Sequence, residues 1–399
     1  MKGRYDAETL LSRRVVTVEK GELSTIVDRL TDYGKVLLIV GNADYLRVGD
    51  GLTDEIDACN QAFYRFTVEE GDTFREFAPS FSFPEDVRAV LAVGNTAISC
   101  AKYFCALRNL PYAFLPLSPD GEDVFRPTVF VGERGEEREI PAPLPEFVVV
   151  TPLLYDCPRV QIAAAYGRMI SKFIALTDYR VRCLCTASAM QKSAYDLARL
   201  ALTDVLGLHS DSTKKEQIEV LFYACLRFSA LFAEYGEDAP CYGAEQGGAM
   251  LLKKGEYGDR AFACAVKLVG VYRLALQYIG VFALAPDYER RLLQASEISG
   301  ISEQNLLNKM QIPRFSDHEK RVKLLQNFRA EFDEEFQKMQ ELLPVLKQIY
   351  RAYGGNYLAK VKTEDLRQAV YFAPELSSRY NLATFIRDAG LLERLEKNK

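Results

Sequence analysis

The first third of the chain contains short runs of consecutive apolar residues, each followed directly by a turn signal. These runs are residues 36–40, 89–93 and 112–115, and they end in Gly-Asn, Gly-Asn and Pro. Fully apolar runs of this length are typical of strands that are buried on both faces of a sheet. Stretches with helical spacing, residues 23–33 and 96–107, lie between them. This alternation predicts an α/β domain with a doubly wound parallel sheet.

The pattern changes near residue 150. Residues 128–131 and 139–140, with Gly132-Glu-Arg-Gly135 near the turn, predict a hairpin, and residues 147–150 predict a last strand. We therefore expect an α/β nucleotide-binding-like domain over residues 1–152.

The rest of the chain has apolar residues at helical spacing and predicts an all-helical domain over residues 153–399. The clearest predicted helices are residues 158–178, 187–206, 217–234 and 259–284. A capping box at residues 316–319 predicts the start of a further long helix that runs through residue 353. Pro344 lies inside it and is expected to kink or interrupt it.

Composition excludes several classes of protein. The formal net charge of -5 and the lack of a Lys/Arg run argue against a nucleic-acid binder. No stretch of 18 apolar residues predicts a membrane span, and residues 1–22 lack the apolar run of a signal peptide. Nine scattered cysteines without a CxxC pair are typical of reduced thiols, so a cytoplasmic protein is expected.

The histidine content limits metal chemistry. The chain has two histidines, His209 and His318, and neither belongs to a zinc-binding motif. A metal site that uses two or more histidines is therefore nearly excluded. Both histidines lie among polar residues, so we expect them in surface loops or at helix caps.

The turn after the second apolar run is a candidate anion site. Gly94 permits a tight turn, Asn95 tolerates positive φ, and Thr96 can cap the following helix. The turn would lie at the carboxyl end of a parallel strand, where such sheets bind ligands. Lys102, two turns into the helix, is a candidate charge partner. Plain turn chemistry explains the same residues, and this alternative stays open.

Several blocks resemble, in the same order, those of a known family. Residues 94–103 resemble a glycine-rich turn followed by an Asp-x-Ala-Lys helix start, and residues 116–121 resemble a strand leading to Ser-His-Asp-Gly. Residues 157–171 resemble a Pro-x-x-x-x-x-Ala-x-x-Gly-Asp-x-Ile-Ser helix. Residues 242–246 and 257–260 resemble Ser-Gly-x-Glu-His and His-Gly-Glu. The chain thus resembles the glycerol-1-phosphate dehydrogenases, within the group of glycerol dehydrogenase, iron-containing alcohol dehydrogenase and dehydroquinate synthase.

The resemblance implies a dehydroquinate synthase-like fold, with an α/β domain, a helical domain and a cleft between them. The cleft would hold a nicotinamide cofactor and a small polyol or polyol phosphate. It also implies which residues of this chain occupy the family's cofactor and substrate positions. The cofactor positions are Gly94, Asn95, Thr96, Ser99, Lys102 and Ser118, and the cleft positions are Asp120, Arg168, Gln246 and Tyr257.

The residues at the family's metal positions differ from its ligands. An Asp and two histidines bind a divalent metal, usually zinc, in the family. Arg168 replaces the Asp, and Gln246 and Tyr257 replace the histidines. A second histidine of some members corresponds to Met250. A guanidinium does not bind zinc, and glutamine and neutral tyrosine are poor ligands, so no metal is expected.

The cofactor half also departs from the family. The glycine triplet is reduced to Val93-Gly94-Asn95, which crowds the approach of a pyrophosphate to the backbone. Ser99 replaces the Asp of Asp-x-Ala-Lys, and Asp120 is kept without the neighbouring histidine. About two extra residues near 122–126 disturb a loop expected to cover the cleft.

Three hypotheses follow. The protein is a non-catalytic binding relative, or a metal-independent enzyme in which Arg168 supplies positive charge, or a conventional metal-dependent dehydrogenase if the metal segment is misaligned. The expected partners are a small phosphorylated or polyol ligand and, from the resemblance, further copies of the chain. NAD, NADP and no nucleotide all stay open.

Overall fold

The computed structural model describes residues 6–31, 35–59, 63–68, 84–133, 136–236, 239–280, 287–309, 315–377 and 379–392. Contacts divide the chain into two compact units. The first comprises Met1–Ile162 and Ser212–Asp238, and the second comprises Ala163–Asp211 and Ala239–Lys399.

Every strand among the described residues lies in the first unit. They are β1 (Val15–Thr17), β2 (Lys35–Gly41), β3 (Phe63–Val68), β4 (Val87–Val93), β5 (Tyr112–Leu115), β6 (Thr128–Glu133), β7 (Glu136–Pro141) and β8 (Phe147–Val150).

The helices run through both units. They are α1 (Ala7–Arg14), α2 (Leu23–Thr31), α3 (Asn42–Ala58), α4 (Asn95–Arg108), α5 (Arg159–Thr186), α6 (Lys192–Leu206), α7 (Lys214–Tyr235), α8 (Ala244–Leu251), α9 (Tyr257–Gln277), α10 (Tyr288–Ser299), α11 (Glu303–Lys309), α12 (Phe315–Asn327), α13 (Arg329–Ala352), α14 (Tyr357–Lys360), α15 (Thr363–Leu376) and α16 (Leu382–Asp388). A 3-10 turn, Pro152–Asp156, follows β8.

Six strands form one sheet in the order β1-β8-β5-β4-β2-β3, and every neighbouring pair is parallel. Strands β6 and β7 form a separate antiparallel hairpin. The central strands are buried almost throughout, because apolar side chains on both faces pack in the core. This arrangement confirms the predicted parallel α/β class.

The predicted elements agree closely with the structure in this unit. Residues 112–115 and 147–150 are strands with the expected bounds, and the runs 36–40 and 89–93 lie inside β2 and β4. Of the helix expected over 23–33, residues 32 and 33 lie outside the described residues, as do 134 and 135 of the hairpin turn. Strand β3 and helix α3 were not predicted, because their apolar residues alternate with charged and polar ones.

Helix α7 belongs to the first unit although it follows two helices of the second. Ser229 accepts a hydrogen bond from the backbone N–H of Phe125 at 2.7 Å, and Glu234 accepts one from that of Ala7 at 2.9 Å. The boundary expected at residue 152 remains a prediction about domain organisation. The packing of α7 on the sheet domain is a feature that local patterns do not reveal.

The regular elements among the described residues of the second unit are all helices, joined by turns and loops. The predicted helix over 259–284 corresponds to α9, and its residues 281–284 lie outside the described residues. No helix among the described residues is both long enough and apolar enough to span a bilayer. All nine cysteines are free thiols, and all of them except Cys183 are buried.

One helix of the second unit is interrupted at a different place from the one predicted. The break lies at Phe328, between α12 and α13, whereas Pro344 lies inside the continuous helix α13. Of the two expected effects of Pro344, the interruption is therefore wrong, and a kink at this residue stays a prediction. Pro344 and Gln340 are exposed, so the Gln340 carbonyl that loses its helical donor can be hydrated instead.

The two histidines differ in their surroundings. His209 is exposed, as expected. His318 is buried and stacks on Phe385 with ring centroids 5.4 Å apart. The expectation of a surface position is wrong for His318, because its polar neighbours in sequence occupy other faces of α12. Burial lowers the pKa of His318, which favours the neutral ring.

Candidate functional site

Gly94 forms the turn between β4 and α4. Its φ is 77°, in the left-handed region, and its N–H donates to the carbonyl of Leu115 at 2.9 Å. A Cβ at this position would lie 2.2 Å from Oδ2 of Asp44. Both the backbone conformation and the lack of space therefore require glycine here.

The other predicted turn residues gather around Gly94. The Asn95 side chain donates from Nδ2 to Oγ of Ser118 at 3.0 Å, which ties the start of α4 to the segment after β5. Thr96 lies against the end of β2, since a Cβ on Gly41 would come within 3.0 Å of its Cβ. Ser99 is exposed one turn further along α4. The turn thus combines a helix N-terminus with polar side chains at the carboxyl edge of the sheet.

Sequence reasoning did not identify two charged residues at this turn, Asp44 and Arg47. Asp44 lies in the first turn of α3, and its carboxylate contacts Gly94. Arg47 donates from Nη2 to Oδ1 of Asp44 at 3.1 Å. The available signal was the position of Asp44, three residues after the end of a buried strand.

Lys102 is buried and bonds to main-chain carbonyls. Its Nζ donates to the carbonyl oxygens of Asp123 and, at 2.7 Å, Arg126. Burial lowers the pKa of Lys102 to about 7. These contacts hold residues 121–126 against α4. Asp120, which directly precedes this segment, is half-buried.

In the second unit, α5 and α9 approach each other at two glycines. A Cβ on Gly258 would lie 1.9 Å from the carbonyl oxygen of Ala164, and one on Gly167 would lie 2.9 Å from that of Gly258. The backbones are thus in contact directly beside Arg168 and Tyr257. The two blocks that resemble family motifs consequently meet in space.

Arg168 and Tyr257 are in contact. The guanidinium carbon of Arg168 lies 4.6 Å from the centroid of the Tyr257 ring, within the range of a cation–π interaction. Both residues are half-buried. Gln246 is also half-buried, in the first turn of α8, which packs against α9.

Two buried carboxylates lie at the start of α8, the helix that carries Gln246. Asp178 accepts from the backbone N–H groups of Ala244 at 2.8 Å and Leu382 at 3.0 Å, and from the hydroxyl of Tyr272. Burial raises the pKa of Asp178 to about 7. Glu245 is fully buried, and a Cβ on Gly243 would be 2.5 Å from one of its carboxylate oxygens. The sequence analysis missed Asp178. Its acidic side chain within an otherwise apolar helical stretch was the feature that could have identified it.

The metal of the resembling family does not fit these side chains. A guanidinium carries positive charge and no lone pair for a cation, and a neutral tyrosine or glutamine supplies a weak ligand. Within the described part of the chain, no group of three His, Cys, Asp or Glu side chains has a geometry suited to a metal ion.

A nucleotide phosphate fits the first unit better. The first turn of α4 presents main-chain N–H groups beside Gly94, and a phosphate bound there would displace the Asp44 carboxylate that contacts this turn. Gly94, Asn95 and Thr96 would hold the phosphates, with Ser118 fixed by Asn95. A nicotinamide nucleotide bound there would supply hydride chemistry.

Comparison with known proteins gives distant relatives. No protein-family model matches the chain. It is 22% identical over 258 residues to the glycerol-1-phosphate dehydrogenase [NAD(P)+] of Geobacillus thermodenitrificans, covering 61% of this chain and 63% of that protein. It is 26% identical over 168 residues to the enzyme of the same name from Bacillus licheniformis, covering 41% of each. The chain thus spans less than two thirds of the length of these relatives.

Structural comparison supports the fold. An alcohol dehydrogenase from Oenococcus oeni aligns with a TM-score of 0.55 over 96% of this chain and 98% of that chain, at 11% identity. At that identity the likeness establishes the architecture alone. The chain is therefore distantly similar in sequence to two glycerol-1-phosphate dehydrogenases, and it has the dehydroquinate synthase-like fold.

Proposed function

We propose that this protein is a non-catalytic relative of the glycerol-1-phosphate dehydrogenases that binds a nucleotide or a small phosphorylated ligand. The observation that supports the proposal is the contact between Arg168 and Tyr257. The resemblance assigns these two residues to positions of the family's three metal ligands. A stacked guanidinium repels a divalent cation and replaces it with a charge that cannot act as a Lewis acid.

The loss of a metal has a large effect on rate. A metal that polarises a hydroxyl contributes several kcal/mol of transition-state stabilisation, and about 1.4 kcal/mol corresponds to a factor of ten. Without it, hydride transfer would slow by about three orders of magnitude or more. The turn expected to bind the ligand keeps features suited to an anion, since Gly94 has a left-handed conformation at the N-terminus of α4.

A second candidate is a metal-independent oxidoreductase acting on a polyol phosphate. Arg168 supports it, because a half-buried guanidinium could stabilise a phosphate or a developing alkoxide. A conventional metal-dependent enzyme is the third candidate and requires a different set of ligands.

The oligomeric state is a separate prediction. A homo-oligomer is expected from the resemblance, and light scattering after gel filtration tests it.

Two measurements test the proposal. Elemental analysis of purified, tag-free protein should find no stoichiometric zinc or iron, and NAD(P)+ should not be reduced when glycerol-1-phosphate is added. About one equivalent of either metal, or turnover that Arg168→Ala leaves unchanged, would support the conventional enzyme. Metal-free turnover that Arg168→Ala abolishes would support the second candidate.

Ligand binding is tested by calorimetry with NADH, NADPH and ADP. We expect weak binding that Gly94→Ala abolishes, because alanine is strained at a φ of 77° and its Cβ would fill the space that a ligand phosphate must enter. Gly300→Ala is a matched control, since Gly300 has a φ of 75° but a Cβ added there would have no neighbour within 4 Å. If Gly94→Ala and Gly300→Ala bind alike, the Gly94 turn is purely structural.

A further inference from the structure

The carboxyl ends of β2 and β4 form the point where the chain connections diverge. The two strands are parallel neighbours, and they end at Gly41 and Val93. After β2 the chain continues to β3 on one side of the pair, and after β4 it continues to β5 on the other. Open parallel sheets bind ligands in the crevice at such a switch point.

The Asp44 carboxylate occupies this point. Its Oδ2 lies 2.2 Å from a Cβ built on Gly94 and 3.4 Å from one built on Gly41, so it contacts both strand ends. The side chain is 14% exposed. An anion that approached the first turn of α4 over Gly94 would therefore meet a negative charge already in place.

Arg47 holds this carboxylate and retains further capacity to bind. Its Nη2 donates to Oδ1 of Asp44 at 3.1 Å and to the carbonyl oxygen of Leu117 at 3.3 Å. Among the described residues, its Nη1 is buried without a hydrogen-bond partner. A guanidinium binds phosphate through two nitrogens at once, so Arg47 has both a donor to spare and a carboxylate to exchange.

We propose that Asp44 is an internal competitor for an anionic ligand of the Gly94 turn, and that Arg47 is the cation for which both compete. The ligand class is a diphosphate, such as that of a nucleoside diphosphate or a dinucleotide. This inference rests on the proposed function, because it concerns the same turn. The inference adds a determinant of affinity. A ligand phosphate binds the Gly94 turn only as tightly as it can replace the Asp44 carboxylate as the partner of Arg47.

The test measures the binding of ADP and of inorganic pyrophosphate by calorimetry. Asp44→Asn keeps the size of the side chain and removes its charge, and we expect it to bind both probes about tenfold more tightly or better. Asp50→Asn is the matched control, because Asp50 is an exposed residue of the same helix and its loss changes the net charge equally. Arg47→Gln should weaken binding, and the double variant Asp44→Asn/Arg47→Gln should lose most of the gain.

The outcomes separate this inference from the proposed function. If the wild type binds both probes and Asp44→Asn gains no more than Asp50→Asn, the competitor role is overturned and the binding turn stands. If Asp44→Asn weakens ADP but leaves pyrophosphate unchanged, Asp44 is instead an acceptor for ribose hydroxyls, which also overturns the proposal. If no variant with intact circular dichroism binds either probe at millimolar concentration, both the turn and its competitor are overturned.

Discussion

We expect Arg168 to limit what the helical unit binds, because it places a positive charge where the resembling family has a metal-binding Asp. Arg168 and Tyr257 lie in contact, and Gln246 lies on the neighbouring helix α8. We expect the triple variant Arg168→Asp/Gln246→His/Tyr257→His to bind zinc at least in part, since metal bonds of about 2 Å require ligands that converge.

Elemental analysis after dialysis against zinc measures this gain. Arg168→Asp alone is the control, because it restores the charge but supplies only one of the three ligands. A triple variant that retains no more zinc than this control would mean that the three positions do not converge, and it would reopen the hypothesis of a metal-dependent enzyme.

The burial of Lys102 predicts that the free energy of unfolding depends on pH. Burial lowers its pKa to about 7, whereas a lysine in an unfolded chain has a pKa of about 10.4. Between these values the unfolded chain binds more protons than the folded one, so stability rises with pH. The contribution is complete above about pH 10 and is lost as the pH falls through about 7.

Urea unfolding of the wild type and of Lys102→Met over this range isolates the effect. The wild type should gain up to about 1.4 kcal/mol per pH unit relative to the variant, and about 5 kcal/mol in all. The exposed Lys253→Met controls for the removal of a lysine elsewhere. A constant difference between wild type and Lys102→Met would mean that Lys102 stays charged when buried.

At the scale of elements, the apolar runs predicted the central strands because burial on both faces leaves no room for polar residues. β5 and β8 were found with their exact bounds. Edge strand β3 was missed, since Arg65 and Thr67 interrupt its apolar residues. The break at Phe328 could not be predicted either, because no proline or glycine marks it.

Asp178 connects two helices of the second unit through one carboxylate. It accepts from the first N–H of α8 and the first N–H of α16, which are Ala244 and Leu382. Asp178→Ala should therefore destabilise the fold by about 3 kcal/mol, since each cap contributes about 1 kcal/mol and the Tyr272 hydroxyl also loses its acceptor.

Urea unfolding measures this effect, with Asp287→Ala as the control. Asp287 caps α10 alone, through the N–H of Arg290, and should cost about 1 kcal/mol. Asp178→Asn should cost an amount of stability between those of Asp178→Ala and Asp287→Ala. Its amide oxygen can accept one of the N–H groups, but its NH₂ group faces another donor. Equal effects of the two alanine variants would contradict the double-cap role.

At the scale of the whole molecule, the sequence predicted which family-like blocks of the chain lie close together, but not every charged residue beside them. The Gly94 turn and the Arg168–Tyr257 contact follow from blocks that lie in register along the chain. Asp44 was missed because α3 was not predicted, so nothing indicated that its first turn reaches Gly94. Local patterns identify a turn, but only the sheet order brings a second strand end beside it.

The division of the chain into two units makes a prediction about helix α7. This helix is remote in sequence from the sheet, yet it packs in the first unit, where Leu226 contacts the position of Gly121. Leu231 is 1% exposed, and Leu231→Ala should cost about 2–5 kcal/mol. We expect the variant to destabilise the sheet against local opening and to leave α9 unchanged, because α9 belongs to the other unit.

Amide hydrogen exchange distinguishes the two units residue by residue. In Leu231→Ala, the slowest amides of β4 and β5 should exchange at least about 30-fold faster, while those of α9 keep their wild-type rates. Tyr223→Ala, an exposed position on α7, is the control and should change neither set strongly. If α9 accelerates together with the sheet, the two units open in a single cooperative step, and the helix that joins the first unit also determines the stability of the second.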